Sequence, residues 1–238
     1  MRHVIVYPVP FDALDHEFES AVQRFIMSFQ ANPPGTDYEL WAVGCWGEPT
    51  DFWRDSFYGS KVKWYSYYGP CDCISVHQWA DSQIEEALLI CMTTRCYFHR
   101  AGWLERFVSA REKHGVGLYG ASASFENTPH ICNRAYAIDA GLLRDYPMEI
   151  NGRKDAPAFE TGPKSITAFV NAMNLPCLQV RWDGVDDPQH WRDPAHKGIF
   201  RRGQQNEMLV WDRHSDIYAN ATDYEKILLE RLTDGEQT

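Results

Sequence analysis

The chain lacks the short motifs of several common catalytic classes. No GxGxxG follows its first apolar run, and it contains no GxxxxGK[ST], no HExxH and no GxSxG. Those absences argue against the usual dinucleotide, P-loop NTPase, zincin and α/β-hydrolase readings. Its seven cysteines are an odd number and form no pair of CxxC knuckles. A structural zinc site is therefore not expected, and free thiols in a reducing cytosol are the simpler reading. No stretch approaches the length of a transmembrane span. The opening MRHVIVYPVPFDAL has an apolar run of at most four residues, too short for a secretory core, so a cytoplasmic location is expected. Positive charge is scarce: 23 Lys and Arg stand against 33 Asp and Glu, a formal net charge of −10. Such a chain gains no general attraction to phosphate backbones, so nucleic acid is not an expected partner. There is no fixed-period repeat, no low-complexity tract and no clear linker.

What is present is a core-forming composition. Hydrophobic residues make up 44% of the 238, which excludes a disordered chain and leaves room for a sizeable core. The 14% aromatic share can fill that core and also line a cleft, where half-polar rings hold flat ligands. His3 to Val9 reads as a buried strand ended by prolines. Asp15 to Gln30 spaces Phe18, Val22, Phe25, Ile26 and Phe29 at helical intervals, and Asn32-Pro33-Pro34-Gly35 ends it. Tyr38 to Val43 is a second strand, so the chain opens as a βαβ unit.

Gly44 to Pro70 reads as loop with short elements, and Ile74 to Ala87 as helix. Leu88 to Cys91 is a short apolar run of the kind found in central strands. Helix over Gly102 to His114, strand over Gly115 to Ala121, strand over Ala135 to Ile138 and a short helix over Ala140 to Asp145 follow. Pro163 to Met173 reads as helix, Cys177 to Val180 as strand and Tyr224 to Leu232 as a closing helix. The segment Asn151 to Pro157 reads as a loop facing an active site rather than as a linker. One α/β domain over residues 1–238 is expected, with a mostly parallel central sheet flanked by helices. Val4 to Tyr7, Leu40 to Val43, Leu88 to Cys91 and Gly117 to Tyr119 are expected to be neighbouring strands.

Several segments, in order, resemble GT-A-fold glycosyltransferases of the family 2 kind. They are VIVYPVP, QANPPGTDYELWAVGCWG, ALLICMTTRCYFHRAGWLERFVSA, GLYGASASFENTPHICNRAYAIDAGLL and FETGPKSITAFVNAMNLPCLQVRWDG. The resemblance covers most of the chain and rests on the order of motifs that are individually weak. It implies a Rossmann-like fold and transfer of a sugar from a nucleotide-sugar donor to a hydroxyl-bearing acceptor. A glycan, a lipid-linked saccharide or a small metabolite would serve as acceptor. One departure is plain: the family's central strand usually ends in Asp-x-Asp, which holds a metal on the donor diphosphate. Here LLIC runs into Met92-Thr93-Thr94-Arg95, with no carboxylate. Either cationic side chains, Arg95 first among them, meet the diphosphate charge, or the chain no longer catalyses.

The resemblance places Glu160, in FETG, where the family carries its acidic catalytic pair, with Thr161 instead of a second acid. Sugar transfer needs a base for the acceptor hydroxyl, and Glu160 is the first candidate. A first-turn helix residue is the plainer alternative. His130 and Glu126, on a polar loop after a strand, are the next candidates for the base, and a hydrogen-bonded turn is the alternative for that loop. On the donor side stand Asp72, Thr94, Arg95, Arg201, Arg202 and His214. Asp72 also suits a helix N-cap, Arg95 a surface ion pair, and the late basic stretch around Arg213 a solvated face. No metal ligand is assigned. Asp183, Asp186 and Asp187 have a spacing that could hold Mg²⁺ or Mn²⁺, and a polar loop competes with that reading. A non-catalytic nucleotide- or glycan-binding module is the alternative function. Nucleotidyl transfer is weaker, because VYPVPFDALD supplies no Gly-rich phosphate loop.

Overall fold

The computed structural model of the chain describes residues 1–11, 16–57, 61–70, 72–191, 193 and 198–236. Asp15, the expected start of the first helix, and Cys71 lie outside them. In chain order the elements are β1 (His3–Pro10), α1 (His16–Ala31), β2 (Glu39–Cys45), α2 (Asp51–Ser56), β3 (Val62–Tyr67), α3 (Cys73–Ser82), β4 (Leu88–Met92) and α4 (Trp103–His114). Next come β5 (Leu118–Gly120), β6 (Ala123–Ser124), β7 (His130–Ile131), β8 (Ala135–Asp139), α5 (Leu142–Asp145), α6 (Ala156–Glu160) and α7 (Ile166–Ala172). The chain continues with β9 (Cys177–Val180), β10 (Val185–Asp186), α8 (Arg213–Asn220) and α9 (Asp223–Thr233).

Eight strands form one sheet in the order β10-β9-β5-β8-β4-β1-β2-β3. The pairs β1–β2, β1–β4, β2–β3 and β5–β9 are parallel, and β8 is antiparallel to both its neighbours. Both faces are covered, as a mostly parallel sheet requires. Along β1, Ile5, Tyr7 and Val9 point into one core with Val22, Phe25, Ile26 and Phe29 of α1 and Trp103, Leu104 and Phe107 of α4. The alternate residues Val4 and Val6 enter a second core with Ile74, Val76 and Ala80 of α3, Leu142 and Leu143 of α5, and Ile166 and Val170 of α7. The period of two along the strand thus divides the interior into two layers.

The sheet order corrects one expectation. Val4–Tyr7 does lie between Leu40–Val43 and Leu88–Cys91, but the strand at Leu118–Gly120 is not beside Leu88. The chain leaves β5, makes the β6–β7 hairpin and returns as β8 between β5 and β4, pairing Met92 with Ala135 and Leu118 with Ile138. Gly44 to Pro70, expected to be loop with short elements, holds two of them, α2 and the edge strand β3. Trp64 of β3 packs into one core layer, while Tyr65 and Tyr67 pack into the other. The aromatic residues on both faces hide the alternation by which a half-buried strand is recognised. The helix expected to reach Ala87 stops at Ser82, with Gln83 closing it. The helix expected from Pro163 begins at Ile166, because the Ser165 hydroxyl caps the Ala168 amide at 3.2 Å. Among the described residues no helix is long and apolar enough to cross a membrane.

Candidate active site

The carboxyl ends of β1 and β4 form the floor of a cleft. Residue Thr94, just beyond β4, is locked to β1: its hydroxyl donates to the Pro8 carbonyl at 3.0 Å, and the Tyr7 hydroxyl donates to its own carbonyl at 2.8 Å. Opposite lies the start of β8, joined to this loop by the Thr93 amide donating to the Arg134 carbonyl at 2.9 Å. The chain's late segment is drawn in by a two-way backbone pairing between Tyr97 and Trp211. That pairing delivers Asp212, Arg213 and His214 to the same place.

Two cavities meet here. The larger, about 800 Å³, is lined by Phe18, Thr94, Arg95 and Arg213 among others, and the smaller, about 410 Å³, by Glu126, His130, Cys132 and Arg201 among others. Arg134, Arg153, Glu160 and His214 line both and form the passage between them. Four arginines, Arg95, Arg134, Arg153 and Arg213, gather on the larger wall beside three carboxylates, Glu17, Glu160 and Asp212, in a chain that is acidic as a whole.

Arg134 is the structural centre of that wall. Its Nε donates to His214 Nδ1 at 2.9 Å and forms an ion pair with Asp212 Oδ2 at 2.9 Å, and its guanidinium lies 4.9 Å from the Phe200 ring centre. Its Nη1 is buried and has no hydrogen-bond partner among the described residues. Asp212 is also the N-cap of α8, accepting from the His214 and Ser215 amides at 2.8 and 3.2 Å. Burial pushes the Asp212 carboxyl up, but His214, Arg134 and the Ser215 amide outweigh it and leave it below its usual range. For Arg134 burial works against the charge, and Cys132, Asp212 and Glu160 overcome it, so the guanidinium stays charged. Removing one partner of such a pair costs about 3–5 kcal/mol, because the other charge is left buried and alone.

Arg95 reaches the cleft from the β4 loop. It pairs with Glu17 Oε1 at 2.9 Å and lies over the Phe18 ring at 4.6 Å, and its Nε is buried with no hydrogen-bond partner among the described residues. Arg213 reaches the same Glu17 oxygen at 3.9 Å. Arg153 comes from the loop expected between Asn151 and Pro157 to face an active site, and it lines both cavities.

The smaller cavity is built on the β6–β7 hairpin. His130 and Cys132 are two residues apart in extended chain, so both side chains face one way, while the Ile131 side chain is buried in the second core layer. Phe159, fully buried against Tyr146 at 5.2 Å, anchors the short α6. Glu160, the last residue of α6, then faces the passage and accepts from the Asn133 amide at 3.3 Å. It therefore ends one helix instead of opening the next. Its Oε1 is 4.0 Å from His130 Nε2. Burial alone would lower the His130 imidazole; Cys132, the Thr128 carbonyl and Glu160 raise it to about 8. Burial raises the Cys132 thiol, but Arg134 and His130 prevail and lower it.

The other candidates fall as follows. Glu126 lines the smaller cavity and pairs with Arg201 Nη1 at 3.4 Å. Arg201 is buried with a left-handed backbone, φ 53°. Burial and the neighbouring Arg134 lower its pKa. Asp72 and Arg202 line neither cavity. Asp72 caps α3 through the Ile74 amide at 2.8 Å. Arg202 grips both oxygens of Asp234 at 2.5 Å, which fastens the end of α9. Of the acidic trio, Asp183 and Asp186 are bound to Arg181, and Asp187 lies 2.8 Å from His190 Nδ1, so these carboxylates already have protein partners. Sequence reasoning passed over Arg134, Arg153, Cys132 and Asp212. Only the His130-x-Cys132 spacing carried a readable signal.

No family model matches the chain, and no curated protein matches it. Among solved structures it is similar to TarS of S. aureus, at 12% identity and a TM-score of 0.43 over 63% of this chain; the match spans only 30% of the TarS chain. It is similar to HddC of Yersinia pseudotuberculosis at 13% identity and a TM-score of 0.43, covering 63% of this chain and 81% of that one. A 4-diphosphocytidyl-2C-methyl-D-erythritol synthase matches over 98% of both chains at 10% identity and a TM-score of 0.47. Likeness at this level says nothing about chemistry.

Proposed function

We propose that this chain is a nucleotide-binding transferase that moves a sugar from a nucleotide-sugar donor to a hydroxyl-bearing acceptor. The observation that carries the reading is the cationic cleft at the carboxyl ends of β1 and β4, continuous with a second chamber through Glu160. Ligands of open α/β sheets bind at the carboxyl ends of the strands. Arg95, Arg134, Arg153 and Arg213 would take the donor diphosphate in the larger cavity, with Thr94 setting the floor and His214 the passage. Guanidinium forks suit phosphate oxygens and stabilise the charge that grows on the leaving diphosphate. The acceptor would enter the smaller chamber. Glu160 would take its proton as the oxygen attacks the anomeric carbon, with His130 and Glu126 as the alternatives behind it.

The test is Glu160→Gln, which keeps shape and removes basicity. Turnover should fall by about two to four orders of magnitude, the usual worth of a general base, with donor affinity nearly unchanged. Unaltered turnover would end the role for Glu160. The missing Asp-x-Asp favours a second reading, a module that binds a nucleotide or glycan without catalysis. Slow hydrolysis of a bound nucleotide sugar in the absence of acceptor separates the two, because a binding module leaves the donor intact.

A further inference from the structure

Three metal-ligand atoms converge in the smaller cavity without making good contacts with one another. His130 Nε2 is 4.0 Å from Cys132 Sγ and 4.0 Å from Glu160 Oε1, and all three ligand atoms lie within 4.8 Å of one another. An N–H···O bond spans about 2.7–3.2 Å, so the histidine–carboxylate contact is not one. A proton relay does not fit either. In a relay the nucleophile and the acid take opposite ring nitrogens, whereas here both approach Nε2. The other nitrogen, Nδ1, is 2.7 Å from the Thr128 carbonyl. A carbonyl only accepts, so Nδ1 carries a proton, and Nε2 faces the gap, where a metal ion would take the place of the Nε2 proton. This is the outer-shell arrangement that orients a metal-binding histidine.

We propose that His130, Cys132 and Glu160 form a binding site for a thiophilic divalent cation of the zinc class, with its fourth position open to the smaller chamber. Tetrahedral zinc with bonds of about 2.0–2.3 Å brings its ligand atoms about 3.3–3.7 Å apart, so closure requires shifts of well under an ångström at each side chain. The set is one sulfur, one imidazole and one carboxylate, which favours zinc over magnesium or calcium. Three protein ligands and an open fourth position match the pattern of catalytic rather than structural zinc. Of the nearby guanidinium groups, Arg134 pairs with Asp212 at 2.9 Å and also favours the thiolate of Cys132, and Arg201 faces Glu126 at 3.4 Å. The site shares Glu160 with the transferase reading but does not rest on it, because binding is read without donor or acceptor.

Co²⁺ titrated into the chelator-stripped chain provides the probe. A thiolate-to-cobalt charge-transfer band and the strong visible bands of a tetrahedral ion should grow to one equivalent, and Zn²⁺ should displace them. Cys132→Ser should abolish the charge-transfer band. His130→Gln and Glu160→Gln should each weaken Co²⁺ binding by about tenfold or more, with far-UV circular dichroism confirming that each variant is folded. No charge-transfer band, or a band that survives in Cys132→Ser, would overturn the site. If Cys132→Ser does not fold, wild-type Co²⁺ affinity in both His130→Gln and Glu160→Gln overturns it equally.

Discussion

His77 gives the sharpest test of how the cleft is held. It lies on α3, fully buried, beneath the end of β4. Its Nε2 is 3.0 Å from the Met92 carbonyl and its Nδ1 is 3.1 Å from the Tyr136 hydroxyl. The carbonyl only accepts, so Nε2 carries the proton and Nδ1 receives the tyrosine hydrogen. One neutral imidazole thus ties β4 to β8 at the point where the Thr93–Arg95 loop departs. Burial pushes its pKa from 6.5 down to about 4, against the smaller upward pull of the Met92 carbonyl. The unfolded chain accepts a proton near 6.5, while the folded chain refuses it until about 4. Stability is therefore complete above 6.5 and is lost as pH falls from 6.5 toward 4. At about 1.4 kcal/mol per pH unit the full loss is about 3 kcal/mol, and about 2–3 kcal/mol of it is gone by pH 4.5. Urea unfolding at pH 7.5 and pH 4.5 reads this directly. His77→Gln keeps a donor and an acceptor in place but does not titrate. The difference between the two proteins removes the contribution of every other acid. The variant should lose about 2–3 kcal/mol less than the parent between the two pH values. Equal losses would refute the argument.

Two further predictions concern the cleft proposed to take the donor. Glu17 occupies Arg95 and Arg213 at 2.9 and 3.9 Å from a half-exposed position. An exposed pair of this kind is worth up to about 1 kcal/mol, so Glu17→Gln should tighten nucleoside diphosphate binding by about twofold to fivefold in a calorimetric titration. Weaker binding would show that Glu17 positions the arginines instead of competing for them. The loop from Met92 to Arg95 offers no carboxylate, so nucleoside diphosphate affinity should be unchanged by EDTA to within about twofold. A large loss on chelation, with a metal located at that loop, would contradict this.

The elements that the sequence shows most clearly are those whose burial is periodic. Helices α1 and α4 each present an apolar face to one core, and strand β1 is a continuous buried run whose alternate residues enter the two cores. Strand β3 escaped because Trp64 and Tyr65 pack on opposite faces, which leaves no alternation to detect. The position of β8 escaped for another reason. Strand order depends on which edge a returning segment finds open, and no local pattern in AYAID encodes the gap between β4 and β5. The site divides along the same line. Thr94, Arg95, Glu160 and His130 follow strands or helix ends and were open to inspection. Arg134 and Asp212 are distant in sequence and meet only because Trp211 pairs with Tyr97.

The cationic wall has its own electrostatic logic. Two carboxylates at the end of β4 would need a divalent ion merely to cancel the charge with which they would repel a diphosphate. A guanidinium there attracts the diphosphate directly and keeps its proton at any working pH. The cost of that solution is holding several like charges together in a partly buried cleft. The structure meets it by giving most of them a counter-charge from a different element: Asp212 for Arg134, Glu17 for Arg95 and Arg213, and Glu126 for Arg201. Those carboxylates stand beside the cleft rather than at the end of β4. On the proposed reading, an arriving diphosphate would meet arginines already held in place, two of whose nitrogens, Arg95 Nε and Arg134 Nη1, have no hydrogen-bond partner among the described residues. The carboxylates missing from the β4 loop have counterparts elsewhere, set back where they hold the arginines in place.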